Sequence, residues 1–444
     1  MSYIESFITK AKERGVTRLH FHIEEIEKRY AAVFNGAAEN ILASRERLML
    51  IEGEYQGFMG SAYTEDQDAD SIPVLLGNIT QTAALNRLPY AEKPIRDIPA
   101  PAAASVDFDM RGVSEELIAA EKSARLKNAG ATNFRLELFR HKKTVILLNG
   151  NGKSMTDSSC FFTVTASVMA KNGDKAQTAF ISRLSAEKPD FALIANEAAA
   201  DACLTLNSGP CAGGRYKAVI RNGAFAELFG AFLPAFYAER CQSNMSFLAG
   251  KLGEAVGSAA FTVYEDPLAL ICRRFDDEGT ETGLKTLVDK GRLSAYFHNA
   301  RTAEKDGIRS NGNGFRVNTT IFLHDYKESV SNAYTNVMIE SGQKELSQLL
   351  AEMGDGLLIT ACAGVFAGVN PVSGDFSVLA KGFAVRGGEL CEPVSGITIG
   401  GNFLELLSNV EETGNDFAVT DTNTGIVGTG SVRLSGVVVS GKSE

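Results

Sequence analysis

Three groups of residues in this 444-residue chain are of types that do chemistry. His20 and His22 stand in the stretch Thr17 to Ile23, where Leu19, Phe21 and Ile23 alternate with Arg18, His20 and His22. A strand therefore puts both imidazoles on one face. Some metal sites use that spacing; with Arg18 on the same face, we read a solvated strand surface. The acidic run Phe275-Asp276-Asp277-Glu278-Gly279 offers carboxylate oxygens to a cation, but as a glycine-closed segment it reads as a turn with solvated carboxylates. Cys241, close to Ser243 and Ser246, becomes a nucleophile only if the fold brings it a base, for which His298 is the candidate. His141, His298 and His324 are isolated in sequence and read as surface or core-edge residues.

Two glycine motifs suggest phosphate binding and fail on context. Gly150-Asn-Gly-Lys-Ser154 follows the apolar strand Val145 to Leu148, but the first glycine of a phosphate loop would fall at Leu147. The residues that follow, Cys160 to Met169, alternate as a strand, so no helix N-terminus is available, and a hairpin turn is the better reading. Gly312-Asn-Gly314 has Val317 where a dinucleotide fingerprint needs its third glycine. A third stretch, Gly368 to Val410, reads as strand, turn, strand, turn and helix. Asn402 is placed to cap the helix, with Phe403, Leu406, Leu407 and Val410 on one face.

The elements that must position these residues fall into three units. Ile4, Phe7, Ile8 and Ala11 predict a helix over 4–14, followed by strands at 17–23, 30–34, 47–52 and 58–63 and a helix over 70–90. The Pro/Ala-rich run Glu92 to Ala104 reads as a connector. A helix over 115–129 opens the second unit, with strands at 133–141, 144–148, 160–169 and 175–185 and a closing helix over 190–206. The third unit begins with a strand at 217–221 and a helix over 224–240 and is β-rich thereafter, with one further helix on Leu346, Leu349, Leu350 and Met353 ended by Gly354. The expected class is α+β: an N-terminal α/β domain (1–95), a small middle α+β domain (105–207) and a β-rich C-terminal domain (212–444).

Composition narrows the function classes. A net charge of −10, without a dense Lys/Arg cluster, argues against direct nucleic-acid binding. The start carries Glu5 and no apolar signal core, and Glu227 and Pro234 interrupt the long apolar stretch at 224–238, so no membrane partner and a cytoplasmic location are expected. Seven cysteines without a Cys-x-x-Cys pair read as reduced thiols.

From about residue 130 onward, several motifs in order resemble the TldD/PmbA family, and its PmbA (TldE) branch in particular. Ser246-Phe-Leu-Ala-Gly-Lys-Leu-Gly-Glu254 is similar to the family's SFL and KLGE stretch, and Glu265-Asp-Pro267 to its DDP-like strand end. Arg274-Phe-Asp-Asp-Glu-Gly279 resembles its DDEG turn, Lys290-Gly-Arg-Leu-Ser294 the G-x-L strand, and Asn299 to Ala303 with Ser310 to Gly314 the segment that follows. Gly368 to Asn402 resembles the GVNPVTGDFS block and its ITIAGN ending.

The resemblance implies a zinc peptidase built from two related subunits. One, TldD, carries H-E-x-x-x-H and a later cysteine; the other carries no metal. The corresponding segment here, Leu228 to Cys241, has no histidine, Pro234 interrupts it, and no cysteine follows Cys391. The expectation is therefore a chain with no catalytic or metal-ligating residue and no cofactor of its own. It would pair with a zinc-bearing TldD-type subunit, or form a homodimer, around unfolded or extended peptides. Asp276, Asp277, Glu278, Asn370, Asp375, Phe376, Ser377 and Asn402 are the family-motif residues with a possible substrate or interface role. The competing readings are a homodimeric peptide-binding or regulatory protein, a hydrolase using Cys241, and, from the family's name "modulator of DNA gyrase", a gyrase-linked regulator.

Overall fold

The computed structural model describes residues 3–101, 110–317, 327–422 and 424–441; His324 lies outside them. The architecture is mixed α+β with a β-rich C-terminal part. Helix Tyr3–Glu13 buries Phe7 and Ala11 against a meander of three strands, Thr17–Phe34, Ala37–Tyr55 and Phe58–Thr64. Asn35-Gly36 and Gln56-Gly57 make the two connections with positive φ throughout, the backbone that two-residue hairpins need.

The separate strands expected at 17–23 and 30–34 are one strand, as are those at 133–141 and 144–148, which form Ala131–Asn149. The charged residues between them break the apolar alternation but not the ladder. Arg47 pairs with Glu25 at 3.2 Å, Arg140 with Glu27 at 2.9 Å and Lys143 with Glu24 at 3.0 Å, all across neighbouring strands. Asn149 caps the turn into Ser154–Asn172 by accepting from the N–H groups of Asn151 and Lys153, so Gly150 to Lys153 is the hairpin turn expected. Helices Met110–Lys127 and Phe191–Leu204 bury one face of these strands.

Pairing of Thr17–Phe34 with Ala131–Asn149 joins the first two units in a single sheet. Lys175–Ser185 then meets Ala418–Thr422 through Leu184 and Val419, and the sheet continues to twelve strands among the described residues. Besides a two-stranded ribbon, the described residues form a six-stranded sheet, in which Val410–Thr413 pairs with Val432–Ser440 and the other five strands close as a ring. Gly214–Ile220, Gly356–Ala363, Asp375–Arg386, Glu389–Asn402 and Val432–Ser440 pair in succession, and the last returns to the first.

Helix Asn222–Phe232 runs through the largest apolar core. Its Phe232 ring stacks on Phe403 with centroids 3.9 Å apart, and Phe229, Phe247 and Phe376 surround the pair. The helix expected over 224–240 stops at Phe232, a short 3-10 turn holds Pro234, and Ala238–Gln242 starts afresh, because proline cannot supply the next helical N–H. The 368–410 stretch folds as two strands and then helix Phe403–Ser408, with Asn402 accepting from the Leu404 N–H as expected; the second strand runs straight into the helix, and Val410, read onto the helix face, begins the strand Val410–Thr413. Among the described residues no helix is long and apolar enough to cross a membrane.

Phe232 and Phe403 are fully buried. Phe232→Ala should therefore cost about 3–5 kcal/mol in denaturant unfolding, whereas Leu126→Ala, on an exposed side chain, should leave the midpoint within error.

Candidate functional site

The Phe275 to Gly279 segment is a turn, closed by a bridge from Phe275 to Glu281 and by Gly279 at φ +84. Its first two carboxylates are not solvated as expected: Asp276 is 0% and Asp277 2% exposed. Asp276 accepts N–H groups from Glu278, Thr280 and Gly314 at 2.9–3.0 Å. Burial, with Glu278 nearby, still pushes its carboxyl up to about 7. Asp277 accepts from the Arg273 guanidinium at 2.6 Å and from the Arg316 N–H at 2.7 Å. Burial opposes its charge, but Arg273 and His22 outweigh that and hold it below the usual carboxylate range. Arg274 anchors the turn to the large sheet through the buried carboxylate of Asp157, at 2.6 Å. Asp276 and Asp277 thus pin a turn between layers. Glu278 alone of the three reaches a cavity, where it accepts the Ala300 N–H at 2.7 Å and burial raises its pKa.

The layer that buries this turn also buries the two histidines, so the solvated strand face is corrected. Arg18 sits at a bulge with φ +47, its guanidinium 5.4 Å from the centre of the Tyr90 ring and 3.4 Å from Glu54. His22 Nε2 lies 3.1 Å from Glu24, and its Nδ1 3.9 Å from Asp277. His20 stacks on Tyr90, whose hydroxyl is 3.2 Å from its Nδ1. Burial, helped by the Lys93 ammonium, pulls His20 down to about 4. Beside it Glu52 takes both Lys93, from the connector, and Arg316, at 2.6 Å from beyond the turn. Burial alone would raise Glu52; the two cations hold it down at about 2.

Above this ionic floor opens a cleft of about 890 Å³. One wall is helix Ile72–Asn86 with strand Phe58–Thr64, the other is Glu278, the Asn299 cap and Arg301. Glu52, Lys93 and Arg316 carried no sequence signal. Only a third layer packed on the polar side of Thr17–Phe34 makes them neighbours.

The remaining motif residues lie apart from this cleft, in the ring. Asn370 accepts from the Val372 N–H, and its own N–H donates to the Asp375 carbonyl. Asp375 accepts from the Asn402 amide at 3.0 Å, which lowers its pKa, and the Ser377 N–H donates to Gly368. Phe376 points into the phenylalanine core. The residues form one self-bonded turn.

The zinc implied by the resemblance does not fit the Leu228 to Cys241 segment. It presents Phe229, Phe232 and Phe236 to the core, none with a lone pair to donate. The Cys241 thiol donates to the Ala235 carbonyl, and burial pushes it up to about 11 despite hydrogen bonds with Ser246 and Tyr296, which favours the thiol over the nucleophilic thiolate. Among the described residues, no three His, Cys, Asp or Glu side chains converge as a metal ion requires. His298 is buried at the core edge, 3.9 Å from Asp306, and His141 is packed between Phe139 and Phe161.

These groups set a pH dependence. His20 and His141 are both held at about 4 against an ordinary 6.5, so stability present above 6.5 falls away as pH drops from 6.5 to 4. Glu52, lowered from 4.5 to about 2, adds a loss that begins below 4.5. Asp276, raised to about 7, acts in the opposite sense and gains stability as pH falls from 7 towards 3.8. The histidine loss is therefore read by difference: between pH 6.5 and 4 the denaturant midpoint of His20→Gln should fall less, or rise more, than that of the unsubstituted chain.

Comparison with known proteins bears on the whole chain. The model of the PmbA/TldA metallopeptidase C-terminal domain matches residues 213–441. Metalloprotease PmbA of Escherichia coli O157:H7 is 29% identical over 227 residues, 50% of this chain and 45% of that protein. A metalloprotease of Archaeoglobus fulgidus is 30% identical over 199 residues, 44% of each. The chain thus spans about half the length of these curated relatives. A Haemophilus influenzae metalloprotease PmbA homologue is 26% identical over 350 residues, 76% of this chain and 71% of its own. A solved Thermotoga maritima structure, described as a modulator of a DNA gyrase, superposes with TM-score 0.86 at 26% identity over 99% of both chains. TldE of Thermococcus kodakarensis shares the fold, with TM-score 0.86 at 22% identity over 99% of this chain and 100% of that one. With over half of its residues matched by that model and an intact DDEG turn, the chain belongs to the PmbA/TldD family of metallopeptidases.

Proposed function

We propose that the chain is the subunit without a metal of its own in a TldD/TldE-type metalloprotease complex. It helps to enclose and gate unfolded or extended peptides, for proteolysis or peptide maturation at the zinc of a TldD-type partner. One observation carries this reading: helix Asn222–Phe232 and the turn after it are packed with phenylalanine where the resemblance calls for ligands, while the DDEG turn and the 368–402 block keep their internal bonds. A family scaffold kept intact around a segment without ligands suits a wall rather than a reaction centre. Its strand edges suit peptides held through backbone groups, a mode that tolerates varied sequences. We place the protein in the cytoplasm, the reducing compartment that seven free thiols suit.

The test is assembly. Mixed with a TldD-type subunit, the chain should form a complex of both by native mass spectrometry, and the mixture should cleave an unfolded peptide. Alone, it should hold no stoichiometric zinc and cleave nothing. Zinc and cleavage in the chain alone would sink the reading; failure to form a mixed complex would leave a homodimeric, non-catalytic peptide-binding or regulatory protein.

A further inference from the structure

The cleft beside the DDEG turn has a wall composition that the subunit role does not use. Helix Ile72–Asn86 turns Ile72, Leu75, Leu76, Ile79 and Ala83 into the core, which leaves Asn78, Gln81 and Leu85 on its opposite side. Leu85 is 81% exposed, and Leu88, just beyond the helix, 52%; both line the cleft. Large apolar side chains gathered in one concavity, rather than scattered, mark a surface that is covered in use. Lining the same cleft are the primary amides of Asn78, Gln81 and Asn86, each of which presents both a donor and an acceptor. Thr82 differs: its hydroxyl is spent on the backbone of Ser61 in the neighbouring strand.

Three properties select the ligand. Asn78 to Asn86 spans about 12 Å at ~1.5 Å per residue, the length of about four residues of extended chain at ~3.3 Å each. Amides that both donate and accept match peptide groups, which do the same. The cleft is lined by four acidic and four basic side chains, so it carries no excess field to select a phosphate or a strongly charged segment. We propose that this cleft binds an extended, uncharged peptide segment, with a bulky apolar side chain of the peptide seated against Leu85 and Leu88 and its backbone against the amide row. The inference rests on the reading of the chain as a peptide-handling subunit and adds selection to it: this subunit chooses substrates by an apolar residue.

The experiment uses the full chain alone and fluorescence anisotropy with a short, unstructured labelled peptide carrying one central leucine, beside the same peptide with aspartate there. The leucine peptide should bind at least about ten-fold tighter. Leu85→Asp and Leu88→Asp should each weaken it about ten-fold, and Leu126→Asp, exposed but outside the cleft, should leave it unchanged. No binding by the chain alone, equal binding of both peptides, or the same affinity in all variants overturns the inference. The assembly assay separates the two readings. If the unsubstituted chain forms the mixed complex and that complex cleaves both peptides equally, or if the Leu85→Asp complex keeps the preference for the leucine peptide, the cleft inference falls and the subunit reading stands; if no mixed complex forms, the subunit reading falls whatever the cleft binds.

Discussion

Glu52 carries a charge that is almost wholly withdrawn from water, and the arrangement of the two halves of the molecule depends on how that charge is met. Lys93 comes from the connector and Arg316 from beyond the DDEG turn, and both reach the one carboxylate. A buried pair of this kind is weak evidence for net stability, because desolvation offsets much of the attraction. Its effect is on geometry: removing one partner strands a charge, so each of the three segments fixes the place of the others. The Arg316 backbone N–H then secures Asp277, and Asp277 takes Arg273. The floor of the cleft is thus set by a chain of charges from the first sheet to the third unit.

The phenylalanine core answers a different constraint. A helix in an apolar core turns its apolar side chains inward, and Asn222–Phe232 buries Phe225, Leu228, Phe229 and Phe232 there, while Glu227 lines a small pocket with Cys362 and Asp421. A side chain offering a lone pair to a metal would have to displace one of these rings. In this chain the rings pack on one another and on Phe403 instead, and Pro234 turns the backbone away at the point where a second ligand on a continuous helix would stand.

Much of the local structure was legible in the sequence, because periodicity reports which face of an element is apolar. The 175–185 strand, the Leu346 helix with its Gly354 stop and the Asn402 cap all follow from spacing and capping residues. The histidine pair and the acidic turn misled for one shared reason. A polar face reads as solvent-facing, but here two polar faces are packed on each other, and nothing local to Thr17–Phe34 announces that Asp277 and Arg316 will cover it. The breaks read into Thr17–Phe34 and Ala131–Asn149 failed likewise: charged residues that end an apolar pattern continue a ladder when a neighbouring strand supplies the opposite charge.

The ring of five strands has a consequence for the order in which the chain can be built. Its closing strand, Val432–Ser440, pairs with Gly214–Ile220 and with Glu389–Asn402, so the seam joins segments far apart in sequence. The amino-terminal hairpins make contacts between neighbours and can form as soon as they leave the ribosome. The ring must wait for nearly the whole chain, since distant pairing is slow and must first overcome loop entropy. Through that interval the phenylalanine helix, already synthesised, has no sealed interior to enter. The segment that gives the folded subunit its rigid heart is therefore its most adhesive surface while nascent, and the one for which a chaperone would matter most.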